Sequence, residues 1–305
     1  MSNIIALVWD FDKTLVDGYM QDPIFEEYSI NAKSFWDEVN ALPKKYQEEQ
    51  NVKVNPDTIY LNHLIKYAKT GKMPGLNNAK LKKFGEKLKF YAGIPAIFSE
   101  TKSLIENNEI YNEYNIKVEH YIVSTGMTEV IRGSAVMEYV EEVWGCELIE
   151  DLTDDGESSV ISEVGYTMDN TSKTRALFEI NKGVSKRHSD GVNVNTKIDE
   201  SLRRVHFINM IYIADGPSDI PAFSLINKNN GATFAIYPKG NNTALKQVEQ
   251  LRADGRINMY AEADYSEGTT AYMWLCSKIE EFAERIRQEE RAKITVSETP
   301  KHLID

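Results

Sequence analysis

The sequence of 305 residues has only two cysteines, Cys146 and Cys276. Neither stands in a CxxC or Cys/His spacing, which excludes a disulfide framework and a thiolate zinc site and leaves two buried free thiols as the expectation. The five histidines, at 63, 120, 188, 206 and 302, show no metal-binding spacing either. Long apolar runs are missing: nothing approaches the ~18 residues of a membrane span. The N-terminal run, Ile4 to Trp9, stops at Asp10 without the basic flank or small-residue cleavage site of a signal peptide, so a cytoplasmic location is expected. Positive charge is also short. With 35 Lys and Arg against 47 Asp and Glu, the formal charge is -12, which argues against a general nucleic-acid or anionic-membrane binder. No GxSxG, Walker A loop, dinucleotide fingerprint or internal repeat occurs.

What is present belongs to a folded protein of one large or two modest domains: 42% hydrophobic and 27% charged residues, without the single-sign bias of disorder. Ile4 to Trp9 is a short, branched, continuous apolar run that suits a strand buried on both faces. His120 to Val123, Met210 to Ala214 and Ala232 to Tyr237 resemble it, with helix-compatible sequence between them. The pattern predicts a doubly wound parallel α/β sheet. Leu275, Ile279, Phe282 and Ile286 predict a helix that packs on the sheet, and further helices are expected over 127–144 and 244–253. From Thr295 on, a frayed tail is expected. Between the first two strands, three apolar faces read as an inserted all-α module: Phe35, Trp36, Val39 and Leu42; Ile59, Leu64, Ile65 and Ala68; Leu81, Phe84, Leu88 and Tyr91. Breaks are expected at Pro43, Pro56, Gly71 and Pro74-Gly75, and the return to the sheet at Gly93-Ile94-Pro95. Glu147 to Met168, with Asp154-Asp155-Gly156 in its middle, reads as a hairpin. Val184 to Arg204 is polar and irregular, either a lip over a site or a surface excursion.

The residues suited to chemistry sit at the carboxyl ends of the proposed strands, where open α/β sheets bind ligands. The first strand runs into Asp10-Phe11-Asp12-Lys13-Thr14. In extended chain, residues i and i+2 face one side, and two carboxylates about 4 Å apart repel by roughly 4 kcal/mol at an effective dielectric near ~20 unless a cation or proton intervenes. A second acidic loop, Asp215 to Asp219, follows the run ending at Ala214. Ser124-Thr125-Gly126 follows Val123 as a hydroxyl, a turn and a helix start, which suits either a phosphate or an ordinary N-cap. Lys173 opens another helix, where a cation opposes the dipole.

These four segments, in this order, resemble the haloacid dehalogenase superfamily, specifically its phosphoserine-phosphatase-like members with a helical cap inserted after the first motif. Asp10 and Asp12 fall on the family's DxDx[TV], Ser124 on its strand-end Ser/Thr, Lys173 on its basic residue, and Asp215 with Asp219 on its terminal acidic pair. The resemblance implies a core domain of residues 1–16 and 93–305 and a cap of residues 17–92. It implies a phosphatase acting on a small phosphorylated metabolite, with Asp10 the nucleophile and Asp12 the general acid and base. Asp10, the Asp12 carbonyl and Asp215 would hold Mg²⁺, and Asp219 would orient a water or Lys173. Ser124, Thr125, Gly126 and Lys173 would bind the phosphate. A phosphotransferase or phosphomutase using the same aspartyl phosphate, and a non-catalytic phosphate-ligand binder on the same fold, are the alternatives. Ala214 replaces the family's usual glycine and Ser218 its usual Asn. The acid and arginine that select phosphoserine have no counterpart here, with Tyr19 near the place of the acid.

Charge counting adds one feature. From Lys66 to Lys89 there are eight lysines and a single acid, Glu86. The segment is either a basic patch that attracts an anionic substrate or a solvated helix face.

Overall fold

The computed structural model describes residues 2–152, 159–186 and 191–297. Its centre is β1 (Ile4–Trp9), where Ile5 to Trp9 are fully buried. The other strands are β2 (Lys117–Met127), β3 (Val140–Leu152), β4 (Ser159–Tyr166), β5 (Met210–Ala214), β6 (Ala232–Tyr237) and β7 (Met259–Glu262). They form one sheet in the order β4-β3-β2-β1-β5-β6-β7. Neighbours run parallel except β3 and β4, an antiparallel edge pair. The expected hairpin is therefore present as β3 and β4; its Asp154-Asp155-Gly156 turn lies outside the described residues.

Strand register shows why the sheet is covered on both sides. Val8 pairs with Tyr212 and Trp9 with Ile213, and successive residues of a strand point to opposite faces. On one face the Tyr212 ring meets Phe223 of α9 (Ile220–Lys228) edge-on at 5.5 Å. On the other, Trp9 packs on Phe98 of α5 (Ala96–Glu106). Trp9 also donates its indole N–H to His120 Nδ1 at 3.1 Å, and His120 Nε2 lies 3.1 Å from Thr101 Oγ1. Burial holds His120 down to about 3, so it is a neutral bridge between β1, β2 and α5. The C-terminal helix α11 (Thr270–Ser297) packs on α5, β1 and β7, with Leu275, Ile279, Phe282 and Ile286 buried as their spacing predicts. It continues through Thr295 to Ser297, where a frayed tail is expected; residues 298–305 lie outside the described residues.

Between β1 and β2 stand α1 (Asp22–Glu27), α2 (Ala32–Gln50), α3 (Ile59–Lys69) and α4 (Asn78–Gly85), the helical insert, then α5 and α6 (Glu109–Asn112). The chain enters and leaves the insert on paired segments: Val16 bridges Phe90, Asp17 N–H donates to Lys89 O at 2.8 Å and Tyr91 N–H to Leu15 O at 3.0 Å. The insert is fastened at a second place. Gly85 of α4 and Gly133, which follows α7 (Thr128–Arg132), stand so close that a Cβ on either would strike the other segment's backbone. The Asn78 amide reaches Leu148 O of β3 at 2.9 Å, and Ile161 N–H of β4 donates to Leu76 O.

Four expectations need correction. Residues 127–144 are not one helix: α7 ends at Arg132 and β3 begins at Val140, because the apolar residues of the second half are paired along β2. Ser124-Thr125-Gly126 is not a turn, since β2 runs on to Met127 through a shift in its pairing with β3. Pro43 lies inside α2, whose N-cap Asn31 accepts the Ser34 N–H, and the helix absorbs it without ending. Cys146 is buried but Cys276 is partly exposed. As for the polar stretch, its end is pinned to the amino-terminal edge of the sheet: Arg204 pairs with Glu119, and Ser2 Oγ donates to Arg204 O. That edge is opposite the strand ends that carry the acids; residues 187–190 are outside the described ones.

Candidate active site

Asp10 follows β1 directly, and its N–H donates to Ile213 O of β5 at 2.8 Å, so it stands beside the start of the acidic loop after β5. That loop turns through a short 3-10 segment, Pro217–Asp219, which brings the fully buried Asp219 back under the sheet end. From a third direction comes Lys173, the second residue of α8 (Ser172–Lys182). Its side chain is 1% exposed, and its Nζ donates to Asp10 Oδ1 at 2.7 Å and to Asp219 Oδ1 at 2.6 Å. The unfavourable dipole is thus outweighed by two carboxylates. Tyr212, from within β5, donates its hydroxyl to Asp219 Oδ1 at 2.6 Å, and Ser218 Oγ donates to Oδ2 at 2.9 Å.

The balance of charge is visible in the titration of the group. Burial, offset in part by Lys173 and reinforced by Asp219, pushes the Asp10 carboxyl up to about 6. Burial, with Asp10 and Asp219 adding to it, pushes Asp215 up to about 7, while Lys13 and Lys173 pull the other way. Although burial works against its charge, Lys173 is held protonated, above its ordinary value, by Asp10 and Asp219. Asp12 is raised well above the carboxylate range by burial and by Asp10, despite the Met20 N–H that its Oδ1 accepts at 2.9 Å. One ammonium does not neutralise the set.

The residues named from sequence are not equally gathered. Asp10, Asp215 and Asp219 each present an oxygen within 4.8 Å of the others, a group of carboxylates suited to a hard divalent cation. Asp12 is outside that group through its side chain. Ser124 is buried at the end of β2, the strand beside β1, and its Oγ accepts the Gly126 N–H at 3.0 Å. Met20 lies against Gly126, its sulfur accepting the Met127 N–H at 3.0 Å, so a Cβ at residue 126 would require the Met20 side chain to move.

Several site neighbours escape sequence reasoning. Tyr60 of α3 reaches out of the insert and donates to Thr125 O at 3.0 Å, close enough to Asp12 and Cys146 to feel both. Nothing in the helix periodicity marks it among the other buried residues of α3. Tyr60→Phe is expected to lower the melting temperature by roughly 2–4 °C, because a hydrogen bond is worth about 1 kcal/mol and that is the shift per kcal/mol for a chain of this size; an unchanged melt would show that the contact carries no weight. Lys13 takes a left-handed backbone at φ 56°, held by its N–H to Gly18 O at 3.1 Å. Its ammonium lies 4.2 Å from the centre of the Tyr19 ring and bonds the Tyr19 hydroxyl. Of the lysines between 66 and 89, three are engaged within the insert: Lys72 over Tyr67, Lys80 on Tyr28 and Pro74 O, and Lys87 with Glu27.

Among the described residues no helix is long and apolar enough to cross a membrane. No family model matches the chain. An uncharacterized protein of Borreliella burgdorferi is 37% identical over 289 residues, 91% of this chain and 97% of that protein. Among solved structures, a gene product of Archaeoglobus fulgidus aligns over 98% of this chain and 88% of its own at 14% identity, with a TM-score of 0.51. A HAD family hydrolase of Salmonella enterica aligns over 86% of this chain and 68% of its own, also at 14% identity, with a TM-score of 0.49. Identity at that level speaks to fold alone, and it is the Archaeoglobus fulgidus protein whose fold this chain shares. The chain belongs to one family with the Borreliella burgdorferi protein, and its fold is a doubly wound α/β sheet with a helical insert after the first strand.

Proposed function

We propose that the protein is a Mg²⁺-dependent phosphatase that hydrolyses a small phosphomonoester through an aspartyl phosphate on Asp10. The observation that carries this reading is Lys173, a fully buried lysine shared between Asp10 and Asp219. It occupies Asp10 Oδ1 and leaves Oδ2, 3.4 Å from Thr14 Oγ1, as the oxygen for attack on phosphorus. In the first step the Asp10 oxygen bonds to phosphorus, the ester oxygen leaves, and Asp12 gives it a proton. In the second, Asp12 takes a proton from water, the water oxygen bonds to phosphorus, and phosphate departs with Asp10 restored. A carboxyl raised well above its ordinary value holds the proton that the first half needs. Ser124 and the Lys173 ammonium would neutralise the charge that gathers on the phosphoryl oxygens. The helical insert, whose Tyr60 bonds Thr125 O near the end of β2, would exclude bulk water from a small substrate.

Asp10, Asp215 and Asp219 fit a divalent cation, which would be held chiefly by Asp10 and Asp215, since Asp219 is already bonded to Lys173, Tyr212 and Ser218. When bound, Mg²⁺ would offset the negative charge of the carboxylates and draw the phosphate in.

This assignment has a pH signature. Carboxyls raised on folding bind more protons in the native than in the unfolded state, so the cation-free protein loses stability as pH rises from the ordinary 3.8 through about 7. Mg²⁺ competes with those protons, and its stabilisation should grow over the same window. At saturation, about a hundredfold over Kd, that is ~2.7 kcal/mol, a rise in Tm of roughly 5–10 °C near pH ~8 that fades near pH ~5. Thermal melts with and without Mg²⁺ at the two pH values check this. A shift independent of pH, or one that survives in Asp215→Asn, would place the ion elsewhere.

The direct test is phosphate release from a broad panel of phosphomonoesters, with and without Mg²⁺, alongside Asp10→Asn. Release that needs the metal and is lost in the variant is expected; equal release by the variant would remove Asp10 as nucleophile.

A further inference from the structure

A cavity of about 280 Å³ adjoins the carboxylate cluster, with Asp215 in its wall. Lys13 and Asp17 line it from the loop after β1, Tyr91 from the segment leaving the insert, and Asn241, Thr243 and Gln247 from the start of α10 (Asn242–Ala253). The Tyr91 hydroxyl is buried beside Asp17 and makes no hydrogen bond of good geometry among the described residues. The Gln247 amide lies along the acidic loop: a Cβ on Gly216 would stand 3.7 Å from its Oε1. Asn241 spends its Oδ1 on the Ala244 N–H at 3.0 Å, which leaves its NH₂ to donate.

Size and chemistry together narrow the occupant. The volume is that of roughly nine waters at ~30 Å³ each, at the small end of ligand pockets, and suits a sugar-sized group and not a nucleotide or a peptide. Apart from Asp215 the wall carries one cation and one acid, and the remaining polar groups are neutral. With Asp215 given to the cation, Lys13 and Asp17 balance, so the wall offers no net charge to hold an anionic or a cationic leaving group. A hydroxyl both donates and accepts, as do Thr243 and Gln247, and the ring of Tyr91 with Pro238 and Ala244 gives apolar surface for C–H groups.

We propose that this cavity receives the alcohol part of the substrate and selects an uncharged, hydroxyl-rich one, a small sugar or polyol phosphate. The proposal rests on the phosphatase reading and adds the substrate class to it. Removing the polar wall costs the hydroxyl-rich substrate its partners, while an aromatic ester has none there to lose.

The test compares kcat/KM for hexose 6-phosphate and glycerol phosphate with that for phosphoserine and p-nitrophenyl phosphate, in the wild type and in Thr243→Val/Gln247→Leu. The wild type should favour the first pair. In the double variant the ratio of hexose 6-phosphate to p-nitrophenyl phosphate should fall on the order of tenfold, mainly through KM, as expected for lost hydrogen bonds. An unchanged ratio, or a wild-type preference for phosphoserine or the aromatic ester, overturns the proposal. Ligand-detected NMR of hexose 6-phosphate on Asp10→Asn protein with Mg²⁺ tests the cavity without turnover. Binding that Thr243→Val/Gln247→Leu abolishes upholds the cavity even if Asp10 proves not to be the nucleophile; no binding, or binding indifferent to the two substitutions, overturns it.

Discussion

Asp10→Asn is expected to lower kcat by about 10⁴-fold or more, the scale on which removal of a nucleophile acts, while the melting temperature stays level or rises. The second half of that expectation follows from the electrostatics. A carboxyl displaced upward to about 6 is one whose charge is, on balance, unwelcome in the fold, because burial and Asp219 outweigh the attraction of Lys173. Asn keeps the shape and drops the charge, and Lys173 still has Asp219 at 2.6 Å. Activity and stability therefore move in different directions, which separates loss of chemistry from loss of structure. Phosphate release and a thermal melt on the same sample read both; a large drop in Tm would mean that Asp10 is a structural partner of Lys173 first.

Lys173→Met should show the opposite coupling, with both quantities falling. The variant leaves Asp10 and Asp219 buried without their shared cation, and breaking a buried pair from one side costs about 3–5 kcal/mol, a loss of roughly 10 °C in Tm at this chain length. The loss should shrink in acid, where the Asp10 carboxyl, raised by burial, takes up a proton. Adding Asp219→Asn removes the more deeply buried of the stranded charges, so the double variant should recover part of the melting temperature and none of the activity. Recovery of turnover in the double variant would show that Lys173 serves only to neutralise Asp219.

Much of this site is legible in the chain because the same burial that makes a strand apolar on both faces makes its polar end conspicuous. Asp10 after Ile4 to Trp9, and Asp215 after Met210 to Ala214, stand out for that reason. Lys173 stands out because a helix opening disfavours it. Elsewhere the local pattern misleads or is silent. Val136, Tyr139, Val143 and Trp144 fall at helical intervals, but the chain from Val140 to Cys146 is paired with β2, across two register shifts. Gly126 reads as a turn and is instead a place in a strand that the end of the Met20 side chain lies against. β7 is only four residues, too short for a period to show. Tyr60 and Tyr212 reach the site through their hydroxyls from positions that hydrophobicity alone explains, and only the fold distinguishes them from other core aromatics.

Asp10, Lys173 and Asp219 meet only when β5 lies against β1 and α8 has settled beneath them. At ordinary rates of synthesis the last of the three emerges roughly ten to forty seconds after the first. During that interval Asp10 lacks the Lys173 ammonium and the carboxylates of Asp215 and Asp219 that surround it in the complete fold. On the proposed mechanism, a nascent or truncated chain that lacks the loop after β5 should release no phosphate, so turnover would report a completed fold.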